Sequence, residues 1–256
     1  MAEGPFTMAA YERFLTQAEA LGFRFLPFVE PPGPGATIHL RHDVDNLPKA
    51  AVPMAEREHD LGVQSTYFFM LRHENYNLFD AESGTAVRRV LELGHRLGLH
   101  VVLGPEEIGR RGGLAEAIRA DAELLGTVAD TKPEAFSFHN PGLADGITVE
   151  VAGLVNTYAP PFFGDITYLS ESNMTWRHGP PEEVLALGGP VAYQILVHPY
   201  SYVDDLRDDR QLLLHFLAAR LVTMLDVNQD HHPTLGPAPV DLAEVGRYLQ
   251  TPGAGT

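Results

Sequence analysis

Short apolar runs alternate with longer amphipathic stretches along most of this 256-residue chain. The apolar runs are rich in β-branched and aromatic residues and bounded by glycine or polar residues, which predicts strands over 37–41, 62–70, 97–103, 135–139 and 191–198. The amphipathic stretches have apolar residues at helical spacing, which predicts helices over 8–22, 47–61, 83–93, 114–125 and 206–226. Strands that alternate with helices predict an α/β fold with a parallel sheet.

One long segment departs from this rhythm. Residues 156–190 are rich in proline and glycine and are predicted to form an irregular loop, which contains Trp176, the only tryptophan. Such loops beside a barrel mouth often form a wall for the substrate, and core packing of Trp176 is an equally good interpretation. We expect a single domain over 1–256, with a barrel core at about 37–200, a C-terminal helix at about 206–226 and a disordered tail near 252–256.

Ionisable residues stand at the ends of four predicted strands: Asp43 with Asp45, His100, His139 and His198. Because the carboxyl ends of parallel strands lie at one edge of a sheet, we expect these side chains to converge. A single histidine at a strand end is more often a structural residue than a metal ligand. Four such strand ends together favour a functional site.

Asp43 and Asp45 are two residues apart, so on an extended strand end their carboxylates face the same side, while His42 faces elsewhere. Two close carboxylates repel each other unless a positive group lies beside them. A metal ion bound to one of them removes the repulsion and leaves the other as a base for hydrolysis. The same segment also fits a helix cap, with Asp45 or Asn46 preceding the helix predicted from Leu47.

Composition limits the chemistry and the partners. The chain has no cysteine, so a metal must be held by histidine, carboxylate or water, which suits zinc, iron, manganese or nickel. With 18 basic and 34 acidic side chains the net charge is −16, which argues against a nucleic-acid partner. No secretory signal and no apolar run long enough for a membrane span is seen, so we expect a cytoplasmic protein. A homo-oligomer is left open.

The other histidines are interpreted as surface or structural residues, namely His59, His73, His95, His178 and His215. The tandem His231-His232 resembles a metal pair, but its proline-rich surroundings favour a solvated loop.

Most of the strand-end residues lie within segments that resemble the motifs of a known family. Residues 40–45 (LRHDVD) and 62–69 (GVQSTYFF) resemble the first two strands of the NodB-like polysaccharide deacetylases, a family of the carbohydrate esterase type. Residues 94–100 (GHRLGLH) are similar to the family's GHEIGxH segment, and 195–199 (ILVHP) to its late strand with the catalytic histidine. The resemblance spans about residues 37–200 in the family's order.

This resemblance implies a distorted (β/α) barrel of about seven parallel strands and a divalent metal. Zinc is the first choice, with nickel, cobalt, iron or manganese as alternatives. The implied activity is removal of an N-acetyl or similar acyl group from a sugar or sugar conjugate. Asp43 is similar to the family's catalytic base, Asp45 and His100 to metal ligands, and His198 to the catalytic acid.

Two departures from the family pattern leave alternatives open. The family's second ligand histidine follows the first by four residues, where this chain has Gly104, so His139 is our first choice for the third ligand. The Arg-Pro-Pro segment is also absent, and 137–141 (SFHNP) stand near its place. The predicted substrate contacts are Asn140, Trp176, Arg177 and Tyr67.

Three functions therefore remain in view. The first is the sugar deacetylase, and the second is a hydrolase of small cyclic amides or imides on the same barrel. The third is a non-catalytic carbohydrate-binding protein with a degenerate metal site, which the glycine at position 104 supports.

Overall fold

Nine strands form one sheet in the computed structural model, which describes residues 4–141, 148–203, 208–231, 243 and 247. The strands are β1 (Arg24–Phe25), β2 (Thr37–Val44), β3 (Thr66–Met70), β4 (Arg96–Val101), β5 (Ala135–Phe138), β6 (Val155–Asn156), β7 (Thr167–Ser172), β8 (Thr175–Trp176) and β9 (Ala192–Val197). Their order is β6-β5-β4-β3-β2-β9-β7-β8, with β1 also paired to β2. Between these strands only the β7–β8 pairing is antiparallel.

Helices follow most of the strands. They are α1 (Met8–Ala20), α2 (Ala51–Asp60), α3 (Ala81–Glu92), α4 (Pro105–Arg110), α5 (Leu114–Ala129), α6 (Pro181–Ala186) and α7 (Asp209–His231). The mostly parallel sheet curls into a half-barrel, which confirms the predicted α/β fold of the distorted barrel type.

Strand β2 lies at the centre of the sheet and is buried along its whole length. Its outward residues, Ile38 and Leu40, pack in a core cluster with aromatic residues of α1. Its inward residues are polar, including Arg41 and Asp43, both buried. Side chains alternate along a strand. One face of β2 therefore packs against the helix layer through Ile38 and Leu40, and the other face directs polar side chains into the interior of the barrel.

The structure corrects the prediction for 156–190. Instead of one irregular loop, the segment contributes to β6 and contains β7, β8 and α6. Strand β7 was missed because its sequence, Thr-Tyr-Leu-Ser-Glu-Ser, mixes polar residues into both faces, so its pattern is weak. This strand lies next to β9 and supplies a residue of the site described below.

The chain divides into two compact units, residues 1–209 and 210–256. The first contains the sheet, and the described part of the second consists of most of α7 with two further residues. The prediction of a single domain stays a prediction, and the predicted disordered tail lies outside the described residues. Within the described part of the chain, none of the helices has the length and apolar character needed to cross a membrane.

Candidate metal centre and active site

Three imidazole rings surround the carboxylate of Asp45, directly beyond β2. His100 Nε2 lies 3.0 Å from Oδ1, His139 Nδ1 lies 3.3 Å from the same oxygen, and His198 Nε2 lies 3.4 Å from Oδ2. The three histidines stand at or just beyond the carboxyl ends of β4, β5 and β9. The tertiary structure therefore brings together residues that the sequence predicts to converge.

The charges in this group depend on one another. Burial by itself would raise the pKa of Asp45, but His100, His139 and His198 hold that pKa well below its ordinary value. The nearby carboxylate of Asp45 in turn raises the pKa of His139, against the effect of burial. The carboxylate is thus ionised at neutral pH.

The residues fit a divalent metal ion. Ligand atoms of Asp45, His100 and His139 all lie within 4.8 Å of one another. Oδ1 of Asp45 is buried and accepts no well-formed hydrogen bond among the described residues, although two imidazole nitrogens lie beside it. A buried carboxylate oxygen without a donor is unfavourable unless a cation binds it. One carboxylate and two imidazoles form a donor set suited to zinc, cobalt, nickel or iron.

Ser137 on β5 orients His100. Its Oγ lies 2.7 Å from Nδ1 of His100 and donates to Oδ1 of Asp43 at 3.5 Å. When the hydroxyl accepts the Nδ1 proton of His100, Nε2 has a lone pair available for a metal ion beside Asp45. This is the imidazole tautomer that binds a metal through Nε2.

Asp43 is paired with Arg41, two residues earlier on the same inner face of β2. Nε of Arg41 donates to Oδ1 at 2.8 Å and Nη2 donates to Oδ2 at 2.7 Å, and both side chains are buried. Burial by itself would raise the pKa of Asp43, but Arg41 and then His100 lower it below its ordinary value. The carboxylate is therefore ionised and held in one orientation, as a general base requires.

Aromatic rings enclose the guanidinium of Arg41. It lies 4.9 Å from the ring centroid of Tyr158 and 5.6 Å from that of Phe68, and Nη2 donates to the hydroxyl of Tyr158 at 3.1 Å. The ring of Phe68 fills the space beside Gly98 on β4, where a Cβ would come within 2.3 Å of it. Glycine at this position thus allows the ring that stacks on the buried cation.

His198 is held by Glu171, a fully buried residue of β7. Oε1 of Glu171 accepts hydrogen bonds from the backbone N–H of His198 at 2.8 Å, from Nδ1 at 2.8 Å and from Oγ of Ser201 at 3.1 Å. Burial by itself would lower the pKa of His198, but the hydrogen bonds to Asp45 and Glu171 raise it well above its ordinary value. His198 can therefore carry a proton at neutral pH and donate it from Nε2.

Of the residues predicted to contact the substrate, some are exposed at the surface and one is packed in the core. Asn140 is exposed directly after His139, and Arg177 is exposed after β8. Trp176 packs in the core cluster of α1, near Tyr202, rather than among the strand-end histidines. Its strand forms a hairpin with β7, so the indole contributes to the layer outside the sheet.

Tyr67 is also placed away from the site, which corrects its prediction as a substrate contact. It is fully buried, and its hydroxyl donates to Oε2 of Glu58 at 2.8 Å. It stands opposite His42 in the sheet, and His42 likewise contacts Glu58, at 2.6 Å. Side chains alternate between the two faces of a strand, so His42, next to Asp43, faces the helix layer. Its partner Tyr67 on β3 faces the same way.

Sequence reasoning missed Arg41, Ser137 and Glu171. A signal existed for Arg41, because it precedes Asp43 by two residues and shares its face. No such signal existed for Ser137 and Glu171, since their roles depend on which strands become neighbours.

No protein-family profile matches the chain, and no curated protein matches it in sequence. Among solved structures, the catalytic domain of a peptidoglycan N-acetylglucosamine deacetylase from Eubacterium rectale is 13% identical, covers 74% of this chain and 88% of that chain, and has a TM-score of 0.45. A family 4 acetyl xylan esterase from Clostridium thermocellum, in complex with cobalt, is 16% identical over 73% and 84% of the two chains, with a TM-score of 0.38. A family 4 pseudoenzyme from Bacillus anthracis is 12% identical over 75% and 62%, with a TM-score of 0.42.

The solved structures that the chain resembles are thus carbohydrate esterases and peptidoglycan deacetylases, the group that its motifs resemble. All three TM-scores lie below 0.5, and the function proposed below rests on the residues of the site.

Titration with a divalent ion tests the candidate metal centre. We expect the chelator-treated protein to bind zinc or cobalt, and Asp45→Asn and His100→Ala to weaken that binding by more than about 100-fold, because each removes a ligand. Calorimetry measures the affinity, and the visible absorption of bound cobalt reports its ligands. Asp60→Asn and His178→Ala, at exposed positions, are the matched controls. Unchanged affinity in both ligand variants would place the ion elsewhere.

Proposed function

We propose that this protein is a metal-dependent hydrolase that removes an N-acetyl or similar acyl group from a sugar or sugar conjugate. One observation carries the proposal, namely a metal-binding donor set with a base and an acid beside it. The donor set consists of Asp45, His100 and His139. The carboxylate of Asp43 lies 3.5 Å from His100, and the imidazole of His198 lies 3.4 Å from Asp45.

Each group has a defined task in amide hydrolysis. A metal held by Asp45, His100 and His139 would supply Lewis-acid chemistry, which polarises an amide carbonyl and makes a water molecule more acidic. Asp43 accepts the proton of the attacking water, because it is ionised and oriented. His198 donates a proton from Nε2 to the leaving nitrogen as the C–N bond breaks. The products are a carboxylate and a free amine.

The neighbours of these two groups support the assignment. Arg41 keeps the Asp43 carboxylate ionised in a buried position, and the bidentate pair prevents its rotation. Glu171 fixes Nδ1 of His198, so that Nε2 is the nitrogen left to face Asp45. A base and an acid with separate partners can hold opposite protonation states at one pH.

His139 bears on the non-catalytic alternative. That alternative depends on Gly104, which stands where the family has its second ligand histidine and here is the residue before α4. His139, at the end of β5 next to β4, lies 3.3 Å from Asp45 and supplies a candidate third ligand. The missing histidine is therefore no argument against a complete metal site.

Substitution of the base and the acid tests the proposed function. Asp43→Asn and His198→Ala are each expected to lower kcat by about 100-fold or more, because each removes a proton-transfer group. The measurement is acetate release from N-acetylglucosamine oligomers by the metal-loaded protein, with Asp60→Asn and His178→Ala as exposed controls.

Small cyclic amides and imides are assayed in parallel. Turnover of the cyclic amides or imides, without release of acetate from the sugar oligomers, would favour a hydrolase of small cyclic amides or imides. Unchanged turnover in both Asp43→Asn and His198→Ala would contradict the proposed mechanism.

A further inference from the structure

The loop after β3 is fastened to the strand end that carries the two aspartates. The hydroxyl of Tyr76 donates to the carbonyl of Val44 at 2.6 Å and accepts from the N–H of Met70 at 2.7 Å. Nδ2 of Asn75 donates to the carbonyl of Asp45 at 2.8 Å. Any side chain that this loop directs at the site is therefore held in a defined position.

His73 belongs to this loop and lies beside the candidate metal centre. Its ring centroid is 5.5 Å from that of His139, and His139 is 5.4 Å from His100. His73 is half-buried, so part of its side chain is accessible. It is not among the residues whose ligand atoms cluster for a metal.

The hydrogen bonding of His73 determines its tautomer. Nδ1 accepts a hydrogen bond from the backbone N–H of Asn75 at 3.2 Å, so the ring proton resides on Nε2. No hydrogen bond to Nε2 is formed within the described ranges of the chain. An N–H donor of His73 thus stands next to the site, and no side chain or backbone group in the described ranges accepts a hydrogen bond from it.

We propose that Nε2–H of His73 donates a hydrogen bond to a hydroxyl oxygen of the sugar that carries the scissile acyl group. The proposal rests on the function proposed above. An N–H donor matches a hydroxyl oxygen, and on an N-acylated sugar the ring hydroxyls are the oxygens next to the amide. His73 is accordingly a specificity-determining residue, which favours a hydroxylated substrate over a plain amide.

Two substitutions of His73 separate this role from a structural one. His73→Ala removes the donor, and His73→Gln keeps an N–H at a comparable distance from the backbone. We expect His73→Ala to lower kcat/KM for N-acetylglucosamine oligomers roughly tenfold, and His73→Gln to retain most of the wild-type value. Cobalt affinity and absorption are expected to be the same in both variants and in His178→Ala, the exposed control.

Several outcomes would overturn the proposal. Unchanged kcat/KM in His73→Ala would remove the contact, while the proposed function would stand on the turnover of the wild type. Lower cobalt affinity in His73→Ala would assign the residue to support of His139. If the wild type hydrolyses no amide, the proposed function fails. The binding of the same oligomers, measured by calorimetry, then tests whether His73 contacts the sugar. Weaker binding by metal-loaded His73→Ala than by the wild type would support it, and equal or absent binding would refute it.

Discussion

Arg41→Met is expected to lower the free energy of unfolding by about 3–5 kcal/mol, because it leaves the Asp43 carboxylate buried without its cation. The methionine roughly preserves the packing volume between the rings of Tyr158 and Phe68, so the effect measures the charge rather than a cavity. Asp43→Asn is also expected to lower the free energy of unfolding, because the fully buried guanidinium of Arg41 then loses its counter-ion. Denaturant unfolding, followed by circular dichroism, measures both.

The double variant Arg41→Met/Asp43→Asn makes the test specific. It removes both charges, so we expect it to be more stable than the sum of the single variants predicts. Arg96→Met is the matched control, because Arg96 forms a partly exposed pair with Glu134 and its loss costs only about 0–1 kcal/mol. Additive losses in the double variant would contradict a direct Arg41–Asp43 interaction.

A second large effect is expected from Glu58, a fully buried carboxylate between the sheet and the helix layer. It is the common partner of four hydrogen-bonded side chains, namely Tyr11, His42, Ser65 and Tyr67. Burial by itself would raise the pKa of Glu58, but His42, His95 and Ser65 lower it from 4.5 to about 2.

Because the pKa of Glu58 is lower in the folded state, its ionised form stabilises the protein above the unfolded value of 4.5. That stabilisation amounts to about 3 kcal/mol and is lost as the pH falls toward the folded value. We expect Glu58→Gln to lose about this amount at neutral pH and to show a flatter dependence of unfolding free energy on pH between about 4.5 and about 2.

Unfolding of both proteins across this range tests the prediction. Glu56→Gln, at a partly exposed carboxylate paired with Arg89, is the matched control and is expected to follow the wild type. Parallel curves for Glu58→Gln and the wild type through the acid range would show that Glu58 has no lowered pKa.

The site residues that the sequence predicted are those whose positions follow from local spacing or from a clear strand pattern. Asp43 and Asp45 share a face because of their spacing, and the histidines follow strands whose apolar runs are strong. His139 was chosen as a third ligand because of its strand end, and the structure places it 3.3 Å from Asp45. Tyr67 was misplaced because β3 is apolar on both faces, so its pattern gives no direction.

The sequence by itself determined the α/β rhythm, the absence of thiolate ligands and the strand ends that carry chemistry. These depend on periodicity and composition, which are local properties of the chain. Only the tertiary structure decided that Glu171 holds His198 and that His73 lies beside His139. Both contacts join residues far apart in sequence and depend on strand order and loop attachment, which no local pattern records.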